Sequence, residues 1–430
     1  MRTRSALWRD GGFVKLWTAN AVSQLGSAVT VLALPLAALF ILHASALDVA
    51  LLRAFGVLPF VFLAIPAGVF IDRMRRRPLM IVSDFGRAAA MASVPVAYWL
   101  GHLTIWQLYA VCAVHGVLQV LFDVSYLSFL PGLVSRDTLG EANAKLLGVQ
   151  SLAGLVGPSI AGALVGAVGA AVAVLADAIS FAFSGAAVTA IRNREPKPEP
   201  PTTRKRDELV EGVRYVFAEP HLRTLTIWTS VWNLFTSALF ALLVVYYVRV
   251  LHWGPTKIGL LTALATSGFV VGSLVNERVA ARVGIGRMIA YSGLLSSLTL
   301  IAIPAAPLAD AAPVIVASGF VGTVLGFFAN VNQLTYRQSI TPARLLGRMN
   351  SVVRTMYWGT IPLGSTLGGL AAEQVGLRET LLVAAVGATI ACIPIAASDL
   401  RGLRRLPEAS ATVPGDARAA GDGGVAAPAR

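Results

Sequence analysis

Gly68-Val69-Phe70-Ile71-Asp72-Arg73-Met74-Arg75-Arg76-Arg77-Pro78 joins two long apolar runs and puts four arginines and one aspartate into the only polar gap between them. A charge near a bilayer centre costs roughly 2.5 to 3.5 kcal/mol on insertion scales. The cluster therefore belongs outside the hydrocarbon, and concentrated arginine marks the cytoplasmic side. This one loop fixes the orientation of the helices before and after it.

The rest of the composition agrees with lipid as solvent. Of 430 residues, 56% are hydrophobic and 13% charged, with a mean hydropathy of +0.70, against about 25% charged in an average soluble chain. The net charge of +13 does not indicate nucleic acid, because the basic residues fall in gaps between apolar runs and form no single soluble patch. Cys112 and Cys392 both lie inside apolar runs, which gives neither a disulfide framework nor a metal-ligand spacing. No metal and no cofactor is expected. The run from about Phe13 to Leu42 is too long for the apolar core of a cleavable signal and reads as a first span.

A spanning helix needs about 20 mostly apolar residues. Twelve such runs are expected, roughly at 13–42, 47–71, 79–100, 104–127, 143–167, 170–191, 226–250, 258–279, 288–306, 313–334, 350–372 and 380–397. Arginine and lysine concentrate in alternate gaps: Arg73 to Arg77, then Arg136 and Lys145, then Arg278 to Arg287, then Arg337, Arg344 and Arg348. Both termini are thus expected in the cytoplasm. Arg53, early in the second span, is expected to snorkel to the outer interface. The longest gap carries Glu195-Pro196-Lys197-Pro198-Glu199-Pro200-Pro201, an extended linker, followed by a short amphipathic helix over Asp207 to Phe217. The expected organisation is an N-terminal six-helix bundle over 1–191, a cytoplasmic linker over 192–223, a C-terminal six-helix bundle over 224–400, and a disordered cytoplasmic tail over 401–430.

An internal repeat supports the division. Leu139-Gly140-Glu141-Ala142-Asn143 and Gly157-Pro158-Ser159-Ile160-Ala161-Gly162 return as Leu346-Gly347-Arg348-Met349-Asn350 and Gly364-Ser365-Thr366-Leu367-Gly368-Gly369, both at an offset of 207. Gly68 to Asp72 returns as Gly272 to Asn276 at an offset of 204. Duplication of a six-helix unit keeps the orientation of each copy, the parallel-repeat plan of transporters whose site lies between the halves.

These motifs resemble the major facilitator superfamily. Gly68, Asp72, Arg73 and the basic run are similar to its loop signature, with Arg75 in place of a glycine. Gly157, Pro158 and Gly162 resemble the helix-5 signature of drug and metabolite antiporters, with Ala161 in place of one glycine. Further similarity at Leu16-Trp17, Ser23, Gly26, Asp84-Phe85-Gly86-Arg87 and Glu141-Ala142-Asn143 points to the twelve-helix branch of macrolide-efflux and enterobactin-exporter-like drug:proton antiporters. The fold implied is all-α and membrane-embedded, two six-helix bundles related as parallel copies.

The resemblance implies a cytoplasmic gate of Gly68, Asp72, Arg73, Arg76, Arg77 and Asp123, in which Asp72 caps helix 11 and Arg73 or Arg76 pairs with Asp123. The same arginines also serve as topology anchors. Gly157, Pro158 and Gly162 would form a hinge in helix 5, through close backbone approach and a lost hydrogen bond. A substrate cavity between the halves would be lined by Asn20, Gln24, Trp232, Asn233, Asn330 and Asn332, though such polar groups also tie helices together. Asp177 and His115 are the possible proton sites, and Asp84 has Arg87 three residues on as a local partner. The arginine of the proton-exporter Arg-x-x-Gln-Gly pattern is absent, its place taken by Cys112.

The function implied is export of hydrophobic or amphiphilic small molecules by alternating access with proton antiport. Export of a siderophore or other endogenous metabolite, or import, is the alternative. A membrane-embedded enzyme is remote, since no nucleophile–base pair or metal cluster falls in the spans, and no Walker sequence points to ATP. The expected partners are a small-molecule substrate, protons and the lipid bilayer, with a monomer in the plasma (inner) membrane.

Overall fold

The structure is a computed structural model that describes residues 6–71, 74–192 and 205–404, without the side chains of residues 6, 64–71 and 205–209. Every regular element among these is helical: α1 (Gly11–Ile41), α2 (Ala46–Ile71), α3 (Arg76–Trp99), α4 (Ile105–Leu133), α5 (Leu139–Val168), α6 (Ala170–Thr189), α7 (Lys205–Ala218), α8 (Pro220–Arg249), α9 (Pro255–Thr266), α10 (Gly268–Val283), α11 (Ile285–Ala305), α12 (Ala311–Ile340), α13 (Leu346–Val375), α14 (Leu377–Ala391) and α15 (Ile393–Ala397). The expected linker over 195–201, and the expected disordered tail beyond residue 404, lie outside the described residues.

Eleven of these segments are long and apolar enough to cross a membrane, counting α9 with α10 and α14 with α15 as one each. The remaining expected span, 350–372, does form a helix, α13, but one interrupted by Arg354, Glu373 and many small polar residues. Its position explains that composition: α13 packs between α8 and α2, so much of its surface meets protein rather than lipid. The span expected over 258–279 is broken at Ser267, where the hydroxyl donates to the Leu264 carbonyl at 2.7 Å. A Ser-Gly step of this kind is a recognised kink site. The last span breaks at Cys392, one residue before the helix that carries Pro394.

The internal repeat appears in the helix boundaries themselves. α5 runs Leu139–Val168 and α13 runs Leu346–Val375, 30 residues each. Each ends at a glycine in the left-handed region, Gly169 at φ 84° and Gly376 at φ 101°, which a side chain rarely adopts. α1 to α6 pack on one another, chiefly α1 on α6, α3 on α6 and α2 on α4. α8 to α15 do the same, chiefly α8 on α13 and α11 on α12, and the two groups meet along α2 with α13 and α5 with α9.

α7 lies where the sequence expects an amphipathic helix. It buries Val216 against Leu222, Met349, Val352 and Val353. Glu211 binds Arg344 at 2.8 Å and also Arg348, and the Tyr215 hydroxyl donates to the Ile340 carbonyl at 3.0 Å. α7 is thereby fastened to the start of α13. Val213, on the same helix, is exposed.

Candidate functional site

The two helix groups touch at the end of the molecule away from α7. There the α5 and α9 backbones cross at Gly162 and Gly259: a β-carbon built on Gly162 would stand 2.8 Å from the Gly259 α-carbon and 2.5 Å from the Pro255 carbonyl oxygen. Two glycines facing each other allow this approach, and any other pair would hold the helices apart. Gly369 of α13 sits equally close to Leu47 and Ala50 of α2. Arg249 donates to the Ala44 carbonyl at 2.5 Å, and the Leu47 amide donates to Glu373 at 3.4 Å. Of the expected hinge, Gly162 and the Pro158 carbonyl lie in this crossing, while Gly157 packs on Ala28 of α1.

Three cavities flank this contact, of which the second lies between the groups toward the α7 end and the third reaches the crossing itself at Pro158 and Ile258. The first, about 410 Å³, is walled by α8, α11, α12 and α13, with Trp228, Trp232, Asn330, Gln333, Arg337 and Arg354 among its lining. The second, about 290 Å³, lies between α2 and α4 on one side and α13 on the other, and sets Asp123 across from Arg354. The third, about 630 Å³ and mostly apolar, reaches α1, α5, α8, α9 and α12 and shares Trp232 and Asn330 with the first. Phe60 packs on Trp358 between the groups, ring centroids 4.6 Å apart, and Arg354 lies over the Trp358 ring, 5.2 Å from its centre.

The residues expected at a substrate cavity separate into three sets. Trp232 and Asn330 line cavities, and the Trp232 indole donates to Ser297 at 2.8 Å. Asn233 instead donates to the Tyr357 carbonyl at 2.6 Å and to Thr360 at 3.0 Å, tying α8 to α13. Asn332 donates to Asn276 and to the Phe328 carbonyl, both at 2.8 Å, tying α12 to α10. Asn20 and Gln24 are half-buried on α1 and line none of the three cavities.

At the expected gate, Asp72 and Arg73 lie outside the described residues, and Gly68 falls in α2 where side chains are not described. Arg77 binds within its own group of helices. It donates to the Val188 carbonyl at 3.2 Å and the Thr189 carbonyl at 2.5 Å, capping the C-terminus of α6, where a cation is favoured by the helix dipole. Arg76 makes no ion pair among the described residues, and its Nε is buried without a partner. Asp123 accepts from Gln119 at 2.8 Å instead.

That bond opens a buried network. Arg87, sandwiched 4.2 Å from the Phe181 ring centre and 4.4 Å from that of Phe122, donates to Gln119 and to Asp84. Ser184 completes Asp84 with a bond of 2.8 Å. Asp84 and Arg87 are the local pair their spacing predicts. Asp177 is fully buried between α6 and α1 and accepts from Thr30 at 2.6 Å, Ser180 at 3.0 Å and Ser27 at 3.4 Å. His115 packs 5.7 Å from Phe181, with its Nε2 buried and unpartnered. Among the described residues no group of histidine, cysteine and carboxylate could hold a metal ion.

Three arginines line these cavities. Arg53 lines the third cavity. Arg337 belongs to the last turn of α12, not to a loop, and faces the first cavity. Arg354 was not singled out by sequence reasoning. The signal was present in the spacing, since Asn330, Gln333 and Arg337 share one helix face, as do Asn350, Arg354 and Trp358.

The comparisons with known proteins follow the same lines. Residues 3–417 match the family described as transmembrane secretion effector. The chain is 29% identical over 420 residues to the multidrug efflux pump Tap of Mycolicibacterium fortuitum, covering 94% of this chain and 98% of the relative. It is 23% identical over 414 residues to macrolide efflux protein A of Streptococcus pyogenes, covering 92% and 97% respectively. Among solved structures, a bacterial homologue of the iron transporter ferroportin, inward-facing, superposes with a TM-score of 0.70 at 17% identity, covering 92% of this chain and 100% of that one. A bacterial homologue of the lysosomal transporter Spinster, also inward-facing, gives 0.70 at 14% identity, covering 91% and 97%. With eleven candidate spans among the described residues, the internal repeat and the family match in agreement, the chain belongs to the transmembrane secretion effector family of the major facilitator superfamily, a multi-pass membrane transporter and not an enzyme.

Proposed function

We propose that this chain is a secondary active exporter of hydrophobic or amphiphilic small molecules, working by alternating access with proton antiport. The observation that carries the reading is the glycine-to-glycine crossing of α5 and α9 at one end, with a cavity between the helix groups toward the other. A closed end opposite an open one is one state of an alternating-access cycle. The efflux activities named for Tap and for macrolide efflux protein A support the outward direction.

On this reading residues 1–191 and 224–400 are the two moving bundles, 192–223 the linker that carries α7, and 401–430 a tail. The α7 end and both termini face the cytoplasm, as the arginine distribution supports, and the protein works as a monomer in the plasma (inner) membrane. Gly68, Asp72 and Arg73 act with Asp123 to close the cytoplasmic end when the cavities face outward. Asp177 and His115 are the proton-site candidates of the first bundle. Asp177 is favoured by its full burial inside the first bundle, where three hydroxyl donors hold the carboxyl in place.

The test is efflux from intact cells preloaded with a macrolide or a lipophilic dye. Cells making the chain should retain less than vector controls, the difference should vanish with a protonophore, and Asp72→Asn should abolish it at normal membrane abundance. Retention equal to the control across the panel would refute the export reading.

A further inference from the structure

We propose that the first cavity is an oxyanion-binding substrate site. It would take an amphiphile with an aromatic or polycyclic body and one carboxylate, sulfonate or phosphate, held by Arg337 and Arg354. The inference rests on the export reading and adds the charge of the cargo.

Arg337 carries the argument. It is 9% exposed, its Nε makes no hydrogen bond, and one turn earlier the Gln333 Oε1 is also buried and unbonded. No carboxylate pairs with Arg337 among the described residues; at the α7 end, Glu211 is taken by Arg344 and Arg348. A buried guanidinium without a counter-ion is costly and is relieved only by an anion or water. Arg354 joins it on the same cavity, lying over Trp358, and no acidic residue lines that wall. The adjoining third cavity adds Arg53 and again no acid.

The remaining lining fits an amphiphile. Trp228 and Trp232 turn their indole N–H groups away, to Cys392 at 3.2 Å and Ser297 at 2.8 Å, which leaves their apolar rings as cavity wall. A cavity of about 410 Å³ lies in the size range of small-molecule sites. Two forked donors suit a bidentate oxyanion, whereas a lipophilic cation would meet two like charges. Asp123, across the second cavity, is the acid that faces Arg354 among the described residues. It leaves Arg337 uncompensated.

The experiment uses the full-length protein in phosphatidylcholine nanodiscs and two probes of one skeleton, anilinonaphthalene sulfonate and the uncharged N-phenylnaphthylamine, read by quenching of cavity tryptophan fluorescence. The sulfonate should bind about tenfold more tightly than the amine, a difference of about 1.4 kcal/mol. Arg337→Gln should weaken the sulfonate about tenfold and leave the amine unchanged, with Arg337→Lys intermediate; the unchanged amine affinity shows that the variant is folded. Equal affinity for the two probes, or a sulfonate affinity untouched by Arg337→Gln, would overturn the proposal. Displacement of the sulfonate by phosphatidylglycerol in the disc assigns the oxyanion to a lipid headgroup, and indifference to it assigns a soluble amphiphile. Failure of the export reading is seen separately: a wild type that binds the sulfonate through Arg337 yet expels nothing from cells keeps the site and loses export.

Discussion

Replacing Gly162 tests the closed end of the molecule at its tightest point. Alanine there would put its β-carbon 2.5 Å from the Pro255 carbonyl oxygen and 2.8 Å from the Gly259 α-carbon, where ordinary contact begins at 3.4 Å. Both obstacles are backbone, so no side chain can rotate away, and α5 and α9 must part by roughly 1 Å in a close-packed interface. Overpacking of this kind costs about 1–3 kcal/mol, which corresponds to an approximately 5–150-fold shift between the two states of a switching protein. The strain exists only where the bundles touch at this end, so the population should move toward the opposite state. Spin labels at Val168→Cys and Leu260→Cys, 46% and 52% exposed at that end, report the separation, while the native Cys112 and Cys392 are buried. Gly162→Ala should lengthen the distance and lower efflux at least fivefold, and Gly162→Leu should abolish efflux at normal abundance. Gly148→Ala, on the same helix with open space around it, is the control and should do neither. Wild-type transport and an unchanged distance distribution in Gly162→Leu would refute the reasoning.

Three further outcomes are expected. Arg87→Met leaves Asp84 buried and uncompensated, a loss of about 3–5 kcal/mol, so the yield of monodisperse protein on size exclusion should collapse; restoring it with Asp84→Asn in the same chain would identify the charge, not the packing, as the cause. Glu211→Gln removes both bridges from α7 to α13, partly exposed contacts worth about 0–1 kcal/mol in total, and should speed tryptic cleavage within α7 while leaving the thermal midpoint nearly unmoved. Asp177→Asn keeps the geometry and all three hydroxyls near it; if Asp177 holds the coupling proton, substrate exchange should persist while accumulation driven by a pH gradient is lost, and gradient-driven accumulation at the wild-type rate would exclude it.

Much of the fold was legible because hydropathy and duplication act over whole helices. The offset of 207 between Leu139 and Leu346 predicts equivalent helices, and α5 and α13 start and stop at those equivalent positions. The break at Ser267 was not legible, since a polar residue beside a glycine inside an apolar run bends a helix only when a neighbour comes close, as the Phe320 backbone does at Gly268. Side-chain roles were harder still. Trp232 and Asn233 are adjacent in sequence and point about 100° apart on a helix, one to a cavity and the other to the α13 backbone. Arg337 looked like a loop anchor because it follows the apolar run, yet the helix continues to Ile340 and carries it inward. Charge near the end of a span reports topology and cavity chemistry alike, and only packing tells them apart.

The most direct test of export by alternating access is substrate movement across a bilayer that contains nothing else. Purified protein in proteoliposomes with an imposed pH gradient should accumulate members of a panel of macrolides, amphiphilic anions and lipophilic cations against their gradients, stop when the pH gradient is collapsed, and fail with Gly162→Leu. Movement that ignores the pH gradient, or no movement of any panel member, would contradict the account.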